Sequence, residues 1–344
     1  MDQEEKIKKS AGESELRQDI VTGDWVVIAT GRAKRPDAFI QGERIPADDA
    51  VDPFEDPEAS GQGKDVLSYR SSDGDWSLRV FPNKYPAFSR GKPVRELSEG
   101  PYFAMSGVGY HEVIVTRDAH RSLAQLDTWQ VAEVIDAYRE RYLELMNKKS
   151  VNYIQILHNH GKEAGASLSH PHSQLMAIPV ISPYVELELN GAERFFKTNK
   201  EKVYSVIAEY ESEQKKRIIL ENEHFVVFCP FASRGAFEMM ILGKRPNPYF
   251  ERITEAEIFS LAEALQKSLQ ALYHGLNDPA YNFYVHSAPC DGREYPHYQW
   301  HIEILPRMAT WGGLELSTGI EVSTIEPEVA ASYLRSKLPS ESTS

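Results

Sequence analysis

The sequence predicts an α+β fold made of two copies of one strand–helix–strand unit, each laying helices on an antiparallel sheet. Three observations predict it. A β-rich run ending in an aromatic, proline and Ser-Arg segment occurs twice, around Val80-Phe81 and around Val227-Phe228. Two stretches carry apolar residues at helical spacing. Each copy then closes on a histidine-bearing run, His170-Pro-His-Ser-Gln174 and His297-Tyr-Gln-Trp-His301.

In chain order, Gly109-Tyr-His-Glu-Val-Ile-Val115 reads as a strand and is paralleled by Gly235-Ala-Phe-Glu-Met-Met-Ile241. In the first helix Val131, Val134, Ile135, Tyr138, Tyr142 and Leu145 return on one face; in the second Ile258, Leu261, Leu265, Leu269 and Leu272 do. Thr254-Glu-Ala-Glu257 is a capping box that opens the second helix. The strand Asn152–Leu157 is matched by Asn282–Val285. Aligning the copies on His170 and His297 sets His172 against Gln299, so one half is expected to hold the nucleophile and the other to support it. The expected division is a disordered leader over 1–16, halves over 17–185 and 186–335, and a flexible tail over 336–344.

Composition narrows the function. The 344 residues, 41% hydrophobic and 26% charged, suit a soluble globular protein of one large or two ordinary domains. A net charge of −13 with no compensating Lys/Arg cluster argues against a nucleic-acid partner. No apolar run is long enough for a membrane-spanning helix. Residues 1–16 lack the apolar core of a signal peptide. The two cysteines, Cys229 and Cys290, form no Cys-x-x-Cys pair, and a cytoplasmic location is expected.

The run from Gly165 to Pro179 reads as a loop feeding a strand. Side chains alternate along a strand, so His170, His172 and Gln174 are expected on one face, each about 7 Å from the next. Three polar positions among Leu175, Met176 and Ile178 cost about 2 kcal/mol or more apiece if buried unpaired. The pattern suits a histidine nucleophile with polar neighbours, or a metal site.

The glycine-rich approach and the His-Pro-His-Ser-Gln strand resemble the histidine-triad superfamily and, more narrowly, the galactose-1-phosphate uridylyltransferase family, over about residues 17–325. Arg32-Ala-Lys-Arg35 resembles that family's basic motif at the nucleotide phosphates. Phe81-Pro-Asn83-Lys84-Tyr85 resembles its uridine-contacting segment. Asn159-His-Gly161 and Gly165-Ala-Ser167 resemble the loop that holds the transferred phosphoryl group. The fold implied is two histidine-triad-like repeats sharing a half-barrel sheet, helices outside, in a homodimer.

The activity implied is double displacement. His172 attacks the α-phosphorus of UDP-glucose, and a second sugar 1-phosphate takes the uridylyl group from the histidine in the galactose (Leloir) pathway. Arg32, Arg35, Ser167 and Gln174 stabilise charge on the phosphoryl oxygens. An amide at Gln174, where histidine-triad hydrolases typically carry His, favours transfer over hydrolysis. The resemblance also implies Zn²⁺ held by His111 and His170 with Asp52 and Glu55 in place of two cysteines. It implies a second site, for Fe²⁺, at Glu188, His286, His301 and Glu303, the last in place of a histidine. Gly319 and Glu321 match the sugar-binding segment, whereas Glu315 stands near an expected basic residue. Because Gly312–Gly319 also resembles the ADP-glucose phosphorylase branch, adenylyl transfer is the rival activity. A nucleotide-binding module and a histidine-triad hydrolase are further alternatives.

Overall fold

The computed structural model describes residues 13–30, 35–42, 52–72, 74–90 and 95–339. The chain begins with β1 (Glu15–Gln18) and β2 (Trp25–Ile28), followed by β3 (Leu67–Arg70), β4 (Trp76–Pro82), β5 (Glu96–Glu99), β6 (Tyr102–Met105) and β7 (Tyr110–Thr116). Then come α1 (Thr128–Leu145), β8 (Tyr153–His160), β9 (His172–Ile178), α2 (Pro183–Asn199) and α3 (Val203–Gln214). The second half adds β10 (Ile218–Glu221), β11 (Phe225–Phe228), β12 (Met239–Gly243), α4 (Glu255–Leu276), β13 (Tyr281–His286) and β14 (His301–Pro306). The chain finishes with α5 (Gly313–Thr318), β15 (Glu321–Ser323) and α6 (Pro327–Arg335).

Ten strands form one antiparallel sheet in the order β10-β11-β12-β14-β13-β8-β9-β7-β4-β3. The halves meet at its centre, where β13 pairs β8 with Asn282 opposite Asn159. The α+β reading with a large, unclosed antiparallel sheet is borne out. α1 and α4 pack on one face with α6, and every apolar position expected on their inward stripes is buried. The Thr254 hydroxyl accepts from Glu257 N and the Glu257 carboxylate accepts from Thr254 N, completing the expected capping box.

Both faces of the C-terminal half are covered. Along β11, Phe225 and Val227 join the core under α4, whereas Val226 and Phe228 join a second core with Ala192 of α2 and Val203 and Tyr204 of α3. A strand buried on both sides loses the polar alternation of a half-exposed one. That second layer brings α2, and with it Glu188, over the sheet.

Three boundaries differ from expectation. β1 opens at Glu15, inside the segment expected as a leader. It joins β2 and β15 in a small sheet packed on the C-terminal half, with Arg17 bonding Glu328 at 3.0 Å. Leu338 packs on the main core within the segment expected as a tail. The strand expected from Gly235 starts only at Met239, because Phe237 takes a positive φ of 64° and bends the chain before it.

The repeat is offset by two residues from the alignment read in the sequence. β9 opens at His172 and β14 opens at His301. His172 lies opposite Val115 and His301 opposite Leu242, on matching strands. The counterpart of His172 is therefore His301, not Gln299, and the counterpart of Gln174 is Glu303. Matching on the first histidine misled because the strand start, not the first histidine, carries the equivalence.

Candidate active site

β9 is hydrogen-bonded on both sides, to β7 and β8, so the backbone under His172 is fixed in mid-sheet. The His172 Nδ1–H donates to the His170 carbonyl at 2.9 Å. That bond assigns the proton to Nδ1 and leaves the lone pair on Nε2. The Phe54 ring meets the imidazole edge-on at 5.3 Å. Burial pushes the His172 pKa below its ordinary value, the hydrogen bond to His170 opposing it. The ring is thus neutral near pH 7, as a nucleophile must be.

Gln174 follows on the same face of β9. Its Oε1 accepts from His111 Nε2 at 2.8 Å, while His111 Nδ1 accepts from the backbone N–H of Ala87 at 3.2 Å. The two bonds fix the His111 tautomer, and with it the Gln174 amide, whose NH2 is left to donate. Burial lowers the His111 pKa, so the arrangement stays neutral.

Across the sheet, Asn282 Nδ2 donates to Asn159 Oδ1 at 2.7 Å and to the Ala164 carbonyl at 2.8 Å, and Asn282 Oδ1 accepts from Arg307 Nε at 2.6 Å. The Asn159 oxygen is occupied, which leaves its NH2 as a second preset donor. Asn159 leads into the loop with Gly161 and Gly165, at φ 84° and 86°. A side chain at Gly161 would place its Cβ 2.7 Å from that of Ala280, so only glycine lets the loop approach β13. Ser167 stands exposed in the same loop. A cavity of about 400 Å³ opens along this face, lined by Gln155, Asn159, Tyr184, Arg234, Asn282 and Arg307 among others.

The expected phosphate and uridine contacts separate by burial. Arg35 is exposed; Arg32 lies outside the described residues. Asn83 sits beside His111, its Nδ2 3.1 Å from Nε2. Tyr85 is 82% exposed, and Lys84 Nζ donates to the Ser60 carbonyl at 2.9 Å. Phe81 is fully buried against Phe54, Val113 and Val115. It shapes the wall behind the nucleophile and is not available to touch a base.

The first expected metal set is not gathered. His170 Nδ1 meets Asp52 Oδ2 and its Nε2 meets the Thr116 carbonyl, both at 2.7 Å, so both nitrogens are engaged. His170 lies just before β9 and, like His172, packs its ring against Phe54, at 5.7 Å. Glu55 pairs with Arg117 at 3.0 Å, and His111 serves Gln174. With Asp52 and His170 in contact but Glu55 and His111 bonded to other residues, the four do not fit the expected Zn²⁺.

The second set is gathered. Glu188, His286, His301 and Glu303 are buried and each offers a ligand atom within 4.8 Å of the others. His286 Nδ1 lies 3.0 Å from Glu188 Oε1, and Tyr298 OH donates to Glu188 Oε2 at 2.6 Å. His301 Nδ1 donates to the Gln299 carbonyl at 3.1 Å. Its Nε2 has no hydrogen-bond partner, standing 3.5 Å from Glu188 and 3.6 Å from Glu303. Glu188 raises the His301 pKa to about 10 against the effect of burial. An orphaned imidazole nitrogen between two carboxylates is a donor set that fits a divalent cation such as Fe²⁺ or Zn²⁺.

Sequence reasoning missed Asn282 as a site residue, and with it Arg307 and Arg234. Their roles come from partners far along the chain, and no local motif marks them. Glu315 also reads differently in the structure: its carboxylate accepts from Gly312 N at 2.9 Å and caps α5.

Known proteins resemble this chain along nearly its whole length. Residues 3–181 match the family described as galactose-1-phosphate uridyl transferase, N-terminal domain, and residues 106–341 match one described as a domain of unknown function. ADP-glucose phosphorylase of Arabidopsis thaliana is 33% identical over 330 residues, covering 93% of this chain and 92% of the relative. Galactose-1-phosphate uridylyltransferase of Thermotoga maritima is 27% identical over 332 residues, covering 93% and 98%. A crystal structure of an Arabidopsis thaliana ADP-glucose phosphorylase with bound ADP-glucose superposes with a TM-score of 0.79 at 28% identity, covering 96% and 100%. The chain belongs to the galactose-1-phosphate uridylyltransferase family of nucleotidyltransferases.

Proposed function

We propose that this protein moves a nucleotidyl group from a nucleotide sugar to a phosphate-bearing acceptor through His172, with uridylyl transfer from UDP-glucose to a hexose 1-phosphate as its reaction. One observation carries the reading: the hydrogen bond to the His170 carbonyl bares Nε2 of a buried, neutral imidazole. Nε2 bonds to the α-phosphorus as the bond to the sugar phosphate breaks, and glucose 1-phosphate leaves. A phosphate oxygen of the acceptor then attacks the same phosphorus and the P–N bond breaks, restoring His172.

The preset NH2 groups of Gln174 and Asn159 donate to the phosphoryl oxygens as charge shifts onto them, with Ser167, Arg35 and Arg32 completing the set. The carboxamide of Gln174 cannot act as a general acid or base, which supports transfer to a phosphate over transfer to water. Glu188, His286, His301 and Glu303 would hold a divalent cation, which when bound supplies positive charge to a buried acidic cluster.

Adenylyl transfer from ADP-glucose is the second reading. It is favoured by the 33% identity to an ADP-glucose phosphorylase along nearly the whole chain. Intact-mass spectrometry after mixing with UDP-glucose alone, then ADP-glucose alone, separates the two. A covalent uridylyl adduct discharged by galactose 1-phosphate is expected, and it should be absent from His172→Asn. An adenylyl adduct discharged by inorganic phosphate would select the second reading. Turnover in His172→Asn would refute both.

A further inference from the structure

Glu303 faces two ways. Its Oε1 points toward His301 Nε2, and its Oε2 receives Arg234 Nη2. Arg234 is not a surface arginine that happens to reach in. Its side chain is 17% exposed, and its fork is filled on every side. Nε and Nη2 donate to Glu238 at 2.9 and 2.7 Å, Nη1 to Tyr184 OH at 2.8 Å, and Nη2 to Tyr284 OH at 3.1 Å. The Tyr184 ring lies 5.1 Å beneath the guanidinium. The loop that carries it is bent by the positive φ of Phe237.

The acidic cluster therefore contains its own cation. Glu188, Glu238 and Glu303 bring three carboxylates into a water-poor centre, and Arg234 answers two of them directly. A divalent ion at the four candidate ligands would stand one carboxylate away from a fixed guanidinium and share Glu303 with it. Like charges so close in a buried setting repel strongly. An arginine that bridges two carboxylates also removes their need for an outside cation.

We propose that Arg234 is a resident cation at this centre, which lets the cluster stand without metal and holds its affinity for divalent ions down. The inference does not depend on which nucleotide is transferred. It makes metal occupancy a property tuned by one residue outside the ligand set, on a loop before β12.

The test compares the wild-type protein with Arg234→Met, each stripped with chelator. Co²⁺ titration is followed by visible absorption, with Zn²⁺ competition, and melting temperature is recorded with and without Zn²⁺. The wild type is expected to melt at the same temperature in either state. Arg234→Met is expected to melt lower when stripped, to recover with Zn²⁺, and to bind Co²⁺ at least tenfold more tightly. His301→Asn should abolish the Co²⁺ spectrum, which locates the ion. Should Arg234→Met not fold, the double variant Arg234→Met/Glu238→Gln removes one opposite pair and carries the same expectation of tighter Co²⁺ binding. A wild type that loses stability on chelation, or variants that bind Co²⁺ no more tightly, would overturn the proposal.

Discussion

His172 and His301 are the same residue twice, put to opposite uses. Each opens the corresponding strand of its half, and each donates Nδ1–H to the carbonyl two residues back, at 2.9 and 3.1 Å. The backbone device is shared, and in both halves it bares Nε2. The surroundings differ. Nε2 of His172 belongs to a ring walled by Phe54, and burial lowers its pKa. Nε2 of His301 stands between Glu188 and Glu303, and Glu188 raises its pKa to about 10. The strand start decides where the imidazole points; its neighbours decide whether that nitrogen carries a lone pair or a proton.

The sharpest way to break this comparison is to remove each histidine in turn. His172→Asn should lower transfer by roughly 10⁴-fold or more, since the covalent route goes with the nucleophile, while the melting temperature stays nearly unchanged. His301→Asn should do the reverse. It strips Glu188 and Glu303 of a buried partner and should cost about 3–5 kcal/mol of stability. Nucleotide adduct should still form on His172. Single-turnover kinetics and denaturant melts read both effects. If His301→Asn abolished the adduct in folded protein, the division of labour would be wrong.

A smaller effect sharpens the comparison two residues further along each strand. Gln174 and Glu303 are counterparts, yet the first is neutral and oriented by His111, the second charged and held by Arg234. Gln174→Ala removes one preset donor and should cost about 10²-fold in the rate of adduct formation, within the range for one oxyanion donor. His111→Leu keeps the amide but lets it rotate, so a loss of about tenfold is expected, with binding of the nucleotide sugar unchanged. Equal losses in kcat/KM and in affinity would mean that His111 shapes the pocket instead of aiming the amide.

How much of this was legible depended on range. The inward stripes of α1 and α4 were readable because helical periodicity is local, and the Thr254–Glu257 box sits within four residues. His172 and Gln174 stood out because polar alternation inside an apolar strand is local too. The repeat was visible, but its register was not. The first histidine of each run is the eye-catching match, whereas pairing with Val115 and Leu242 sets the true one. His111 looked like a ligand because its partner Gln174 lies 63 residues away. Arg234 left no sign at all, since its meaning comes from Glu303, 69 residues on, and from tyrosines on two other elements.

The mildest test uses pH, where the two histidines should pull apart. His172 reacts neutral, and its pKa lies below the ordinary imidazole value of about 6.5. An unshifted imidazole would lose about threefold in its neutral fraction between pH 7 and pH 6. The adduct-forming rate at saturating nucleotide sugar should instead fall by less than that over the same step. The stability sign follows from the same direction. With a depressed folded pKa, the unfolded state takes up the proton first as pH falls below about 6.5, so His172 lowers stability on the acid side. His301 has a raised folded pKa, so its stabilisation is fully present below about 6.5 and is lost as pH rises toward about 10. In metal-free protein, the melting-temperature gap between wild type and His301→Asn should therefore narrow from pH 6 to pH 10. A gap that is constant across that range would show that His301 does not carry the proton. The contrast between a bare lone pair on one strand and a held proton on its twin would then fail.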